Sequence, residues 1–213
     1  AFVDLDEDAL SGPKMVKSLE RLRTLQRYED PNGQGLSWNH DTGLVVKGEA
    51  GMQIMGDWAK GEITNAGATP GDEIACMALP GEHSGFIYNA DSFEMFKNSN
   101  SDKAAQYAFA RTALSPAFQR KFNMAKGSIP VRQGVSLEGF DACAQKAQTA
   151  FEAAVDNNAL VPSFSQDMAE NGAVKGALFD VIARFYNDKD MSAEDAAAQM
   201  ASQAQQAQMM SQL

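Results

Sequence analysis

The sequence predicts a mostly helical α/β fold, a small central sheet surrounded by helices. Three observations carry this. Apolar residues recur at helical spacings of three and four over most of the 213 residues. Only three short apolar runs, at residues 51–55, 74–79 and 86–88, have the length and bounding residues of strands. Glycine, proline and capping residues separate the segments where helices start and stop. With no internal repeat, the elements read as one compact unit.

In order along the chain, Ser11-Gly12-Pro13 opens a helix, with proline in the first turn where its missing N–H costs nothing. Met15, Leu19, Leu22 and Leu25 form its apolar stripe, which runs to about Tyr28 before Asp30-Pro31-Asn32-Gly33 breaks it. A second, less regular helix covers Trp38 to Lys47. Residues 51–55 (GMQIM) read as a strand ending at Gly56, and Asp57 as the N-cap of a helix starting at Trp58. A loop from Asn65 to Gly71 leads to a strand at residues 74–79, closed by Pro80-Gly81. Phe86-Ile87-Tyr88 is a third strand.

The remainder reads as helix. Ser101-Asp102 caps one helix through Leu114, and Ser115-Pro116 starts the next, with Phe118 and Phe122 four apart. Residues 126–130 form a loop. Phe140, Ala144, Ala147 and Phe151 mark a long helix. Val174, Ala177, Leu178, Val181, Ile182 and Phe185 make the cleanest apolar face in the chain. Ser192 with Asp195 resembles a capping box before a final Ala/Gln/Met helix with a frayed end.

Composition narrows the function classes. The chain carries 18 basic and 28 acidic residues, a formal charge of −10, so nucleic acid and anionic membrane are poor partners. No stretch approaches eighteen consecutive apolar residues. No signal peptide is read, because Ala1 opens directly into acidic Asp4, Asp6, Glu7 and Asp8. Cys76 and Cys143 fit no zinc or CxxC pattern; their spacing allows either one disulfide or two buried thiols.

Catalytic and metal chemistry find no foothold. Asp4, Asp6 and Asp8 have the opening rhythm of a calcium loop, but Ala9 stands where glycine is needed and Met15 where a bidentate glutamate is needed. They read as a solvated acidic start. His40 and His83 read as surface or loop histidines, since no GxSxG elbow or nucleophile signature accompanies them. No GxGxxG or Walker loop is present, so no cofactor is expected. No metal site and no catalytic residue is expected either.

Four segments, in order, resemble the solute-binding proteins of carbohydrate ABC transporters, extracellular solute-binding proteins of family one. Residues 48–58 (GEAGMQIMGDW) are similar to the family's "G.AAM…G.W" stretch. Residues 87–93 (IYNADSF) are similar to the "YN.DSF" segment of glucose-type members. Residues 115–122 (SPAFQRKF) running into 126–132 (KGSIPVR) form the third, and residues 162–169 (PSFSQDMA) the fourth.

The resemblance implies one lobe of a periplasmic binding protein-like fold. A complete receptor of this kind has two lobes and about twice this length, so residues 1–213 look like a single carboxy-terminal lobe with the amino-terminal lobe absent. It also implies an oxidising periplasm and a disulfide between Cys76 and Cys143, which by loop closure would stabilise by about 3–5 kcal/mol. The implied ligand is a monosaccharide, with glucose first and galactose or mannose next. The implied partner is a membrane permease, and an uncovered cleft face invites self-association.

The implied sugar contacts are Trp58, Asn89, Asp91, Lys126 and Gln166. Their chemistry suits a neutral ring rimmed with hydroxyls. Asp91 accepts hydroxyl protons, Asn89 both donates and accepts, and Lys126 donates three ways beside a glycine. Each bond to a charged partner is worth about 1.5–3 kcal/mol net. Trp58 offers a face for the ring. Gln166 stands where glucose-type members often have histidine. Against each stands a plainer role: core packing for Trp58, Met52 and Met55, an N-cap for Asp91, an exposed loop for Lys126. Two other classes stay open from the residues alone, an acidic hydrolase domain and a ligand-free helical interaction domain.

Overall fold

A computed structural model describes residues 1–33, 35–79, 85–97, 100 and 102–211. The chain packs as two compact units, where the residue pattern pointed to one. The first unit comprises residues 1–31, 87–89 and 161–213; the second comprises residues 32–86 and 90–160.

The first unit is a helical cluster. A short helix α1 (Glu7–Ser11) is capped by Asp6, whose carboxylate accepts from the Ala9 N–H at 2.7 Å. It leads into α2 (Pro13–Leu25), which ends in a 3₁₀ turn (Gln26–Tyr28). Two long helices, α8 (Gly172–Asn187) and α9 (Ala193–Ser211), complete it. Val174, Leu178, Val181 and Phe185 recur at four, three and four, so all four fall on one face of α8 and all are buried. They meet Leu10, Met15 and Leu19 and the stripe of Ala196, Ala197, Met200, Ala201 and Ala204 along α9. Small residues on that stripe let the α8 and α9 backbones approach. Arg23 closes the far end of α8. Its guanidinium lies 3.8 Å from the Phe185 ring centroid and donates to the carbonyls of Phe185, Asp188 and Met191 at 2.6, 3.0 and 2.9 Å. The bonds to Phe185 and Asp188 take up carbonyls that the helix end leaves unpaired, and the bond to Met191 holds the turn that follows.

The second unit holds α3 (Trp38–Val46), α4 (Ala59–Asn65), α5 (Lys103–Ala113), α6 (Pro116–Lys126) and α7 (Ala142–Asp156). Each of the last three starts on a side-chain cap. Asp102 accepts from Ala104 and Ala105, Ser115 from Phe118, and Asp141 from Ala144. Ser101, also expected at the α5 cap, lies outside the described residues, as do Pro80, Gly81 and His83. Cys76 and Cys143 form a disulfide with their Cα atoms 5.6 Å apart, tying residues 65–79 to the start of α7.

The sheet is a parallel pair, β1 (Phe86–Tyr88) and β2 (Leu160–Pro162). Phe86 N–H donates to Ala159 at 3.1 Å and Ser163 N–H to Tyr88 at 2.8 Å. The chain passes from one unit to the other within each strand. The strands expected at residues 51–55 and 74–79 are not formed; both stretches are irregular, apart from one isolated bridge between Pro70 and Ile74. A strand exists only with a neighbour to complete its hydrogen bonds. No described strand lies beside these segments, and Met52 and Met77 stay 82% and 87% exposed. β2, by contrast, was not anticipated, because a proline-ended run of three carries almost no local signal.

Candidate ligand site

The second unit collects the charged and aromatic residues of the 48–58 and 126–132 segments. The turn before α4 brings the indole of Trp58 back over Gly56. A Cβ at Gly56 would lie 2.1–2.5 Å from three ring carbons, so glycine is required for the ring to lie there. Asp57 is not the N-cap of this helix, which begins at Ala59 after Trp58 with no side-chain cap. Its backbone carbonyl accepts from the Lys60 N–H at 3.1 Å.

The same turn lies against the segment following α6, where a Cβ at Gly127 would fall 3.1 Å from the Asp57 carbonyl oxygen. The helix ends at Lys126, and Gly127 takes a left-handed conformation with φ of 91°. The two elements touch backbone to backbone. A Cβ at Gly127 would fall 2.6 Å from the Gly61 nitrogen, and one at Gly61 would fall 2.7 Å from the Lys126 carbonyl. The segment is tied to α6 as well. Ser128 donates to Asn123 at 3.0 Å, and the Val131 N–H donates to the Gln119 side chain at 3.2 Å, both glutamine and asparagine being buried.

Around this junction lies a cluster of alternating charge. The Lys60 ammonium is buried and lies 3.2 Å from both carboxylate oxygens of Asp141, which also caps α7. Lys126 forms an ion pair with the largely exposed Asp91. Burial pushes the Asp57 carboxyl above its ordinary value; Lys60, the Ile129 N–H and Lys126 pull it back, and Asp141 pushes it up.

Of the five residues expected to contact a sugar, Asp91 and Lys126 are thus in direct contact. Trp58 sits in the same unit, half-buried, next to Asp57. Asn89 is half-buried at the end of the short excursion through the first unit. Gln166 is exposed in the first unit, in the loop after β2. That loop is anchored by Phe164, whose ring packs against Phe2 and Phe179, and by the Met168 N–H bond to Ser163 at 3.0 Å. Among the described residues no group of His, Cys, Asp and Glu could hold a metal ion, and no helix is long and apolar enough to cross a membrane. His40 is exposed on α3.

Residues 1–153 match the model of a family described as bacterial extracellular solute-binding protein. The chain belongs to this family. Its relatives include probable sugar-binding periplasmic proteins from Brucella suis, 41% identical over 94% of this chain and 47% of that protein, and from Rhizobium meliloti, 40% identical over 94% and 48%. An uncharacterized ABC transporter extracellular-binding protein of Pyrococcus horikoshii is 28% identical over 87% of this chain and 41% of that protein. The chain spans about half the length of the curated relatives it matches.

Sequence reasoning missed the charge cluster of Asp57, Lys60 and Asp141. Lys60 and Asp141 are 81 residues apart, and no local pattern marks a lysine that will be buried. The spacing of Asp57 and Lys60 on one turn was the only available sign.

Proposed function

We propose that the chain is the carboxy-terminal lobe of a periplasmic receptor, about twice its length, that binds a monosaccharide for uptake through an ABC permease. The Asp91–Lys126 pair beside the Trp58 turn carries the reading. Paired donor and acceptor groups suit vicinal hydroxyls, and an indole suits the C–H face of a pyranose. Relatives named as probable sugar-binding periplasmic proteins support it. Glucose is the first-choice ligand, on the resemblance of residues 87–93 and 126–132 to glucose-type receptors; Asn89 and Gln166 are assigned hydroxyl contacts on that resemblance alone. Gln166, in place of a histidine, removes a titrating group, so affinity through this contact is insensitive to pH near neutrality.

Calorimetric titration of the longer receptor with D-glucose, D-galactose and D-mannose tests the reading. Micromolar binding of one of them, lost in Asp91→Ala and Lys126→Met, is the expected result. Undiminished binding in both variants would refute the site. The isolated chain supplies only part of the contacts, so its own binding is expected to be weak or undetectable. Its exposed Met52, Ile54, Met77 and Leu79 favour self-association, which light scattering across a concentration series would reveal; a strict monomer counts against it.

A further inference from the structure

We infer, on the reading of Trp58, Asp91 and Lys126 as sugar contacts, that Gly61 and Gly127 are positioning residues for this site: their bare backbones form a joint that fixes Trp58 and Lys126 in one spatial relation. Both glycines are buried. Gly127, directly after Lys126, nests in the turn that carries Trp58. A Cβ there would fall 2.6 Å from the Gly61 nitrogen, 2.9 Å from the Lys60 Cβ and 3.1 Å from the Asp57 carbonyl oxygen. From the other side, a Cβ at Gly61 would fall 2.7 Å from the Lys126 carbonyl oxygen and 3.2 Å from that of Ala125. Most of these atoms are backbone, which cannot swing aside as the end of a side chain does. A displacement at the joint is therefore transmitted to the ends of α4 and α6 rather than absorbed.

Local conformation does not account for both glycines. Gly61 stands inside α4, where glycine is less favourable than alanine, so the close approach of α6 explains it better than helix formation does. Gly127 has a φ of 91°, which a side chain adopts only with strain, and the contact adds a second demand for glycine there. The joint is tied into both elements. The Gly61 N–H donates to the Trp58 carbonyl at 3.0 Å, and the Gly127 N–H to the Asn123 carbonyl at 2.8 Å. The Ser128 hydroxyl donates to the buried Asn123 side chain at 3.0 Å. A ring held by an indole face and an ammonium group needs both in place together, and groups already in place lose less freedom when it binds.

The test is a double-mutant cycle in the longer receptor, read by calorimetric titration with D-glucose, D-galactose and D-mannose at a temperature where each variant is folded. Gly61→Ala is expected to weaken binding about tenfold. Gly43→Ala makes the same change in α3, where a Cβ would meet nothing within 4 Å, and is expected to leave affinity unchanged. Trp58→Ala is expected to weaken binding about tenfold by itself. In that background Gly61→Ala is expected to cost less than about threefold more, because no indole is left to place. Unchanged affinity in Gly61→Ala, whatever its melting temperature, or an equal loss in both backgrounds marks a purely structural role and overturns the inference while leaving the site intact. Wild-type affinity in Trp58→Ala or Lys126→Met sinks the site reading itself. If Gly61→Ala does not fold, or Trp58→Ala binds too weakly to measure, amide exchange in the wild-type receptor carries the test. Sugar is expected to slow exchange at Gly61 and Gly127 together, and slowing at one alone, or at neither, counts against the joint.

Discussion

Replacing Lys60 by methionine probes the buried charge cluster directly. The lysine side chain is 5% exposed, and its ammonium lies 3.2 Å from Asp141, itself 23% exposed. Methionine fills nearly the same volume without the charge. Asp141 keeps its capping bond to Ala144 but loses its counter-ion, and Asp57 loses the cation that most offsets its burial. Removing one partner of a buried pair costs about 3–5 kcal/mol, and the access of Asp141 to water places this case near about 3 kcal/mol. Lys60→Met combined with Asp141→Asn removes both charges and keeps an N-cap, so its cost should fall to about 1 kcal/mol. Urea unfolding followed by tryptophan emission is the assay, because the chain's two tryptophans, Trp38 and Trp58, both lie in the unit that holds the cluster. A Lys60→Met midpoint indistinguishable from wild type would refute the reasoning. So would a double variant as unstable as the sum of the single changes.

Other consequences are open to measurement. The Asp57 carboxyl sits above its unfolded value of 3.8, so the stability it contributes is full below that pH and is lost as pH rises through its folded value. Its charged neighbours are Lys60, Lys126 and Asp141. The stability of wild type relative to Asp57→Asn should therefore decline from pH 3.8 upward in urea titrations, and a rising difference would contradict the assignment. The Cys76–Cys143 bond closes a 67-residue span, so Cys76→Ser with Cys143→Ser should destabilise the second unit by about 4 kcal/mol, an upper figure from loop entropy; a loss under about 1 kcal/mol would argue against that account. Arg23→Met removes three bonds to the carbonyls at and beyond the α8 terminus and a ring contact, and should destabilise the first unit by about 3 kcal/mol. Faster amide exchange along α8 is the readout, and unchanged protection would show those carbonyls are satisfied without it.

The helices were legible because their signals are local. Pro13, Asp102, Ser115 and Ser192 each mark a start within a few residues of the observed one, and the spacing of Val174, Leu178, Val181 and Phe185 specified the buried face of α8. The segments around Trp58, Asp91 and Lys126 stood out only through family resemblance; the structure brings Asp91 and Lys126 into an ion pair. The strands were not legible in the same way. Residues 51–55 and 74–79 carry a strand's composition but no partner, whereas β1 pairs with a proline-ended run more than seventy positions away. The short α1 also went unread, although Asp6 caps it.

Sequence alone therefore determined the acidic charge, the helical framework, the absence of catalytic motifs and the family. Tertiary structure decided what depends on residues distant in the chain. It divided one helical string into two compact units, joined Cys76 to Cys143 where spacing left two outcomes, and started α4 beyond Trp58 with no side-chain cap from Asp57. It also buried Lys60 against Asp141, 81 residues on. The physical reason is the reach of each interaction. Caps and periodicity act over one or two turns of backbone, while burial and ion pairing depend on which surfaces meet, and no window of sequence contains that information.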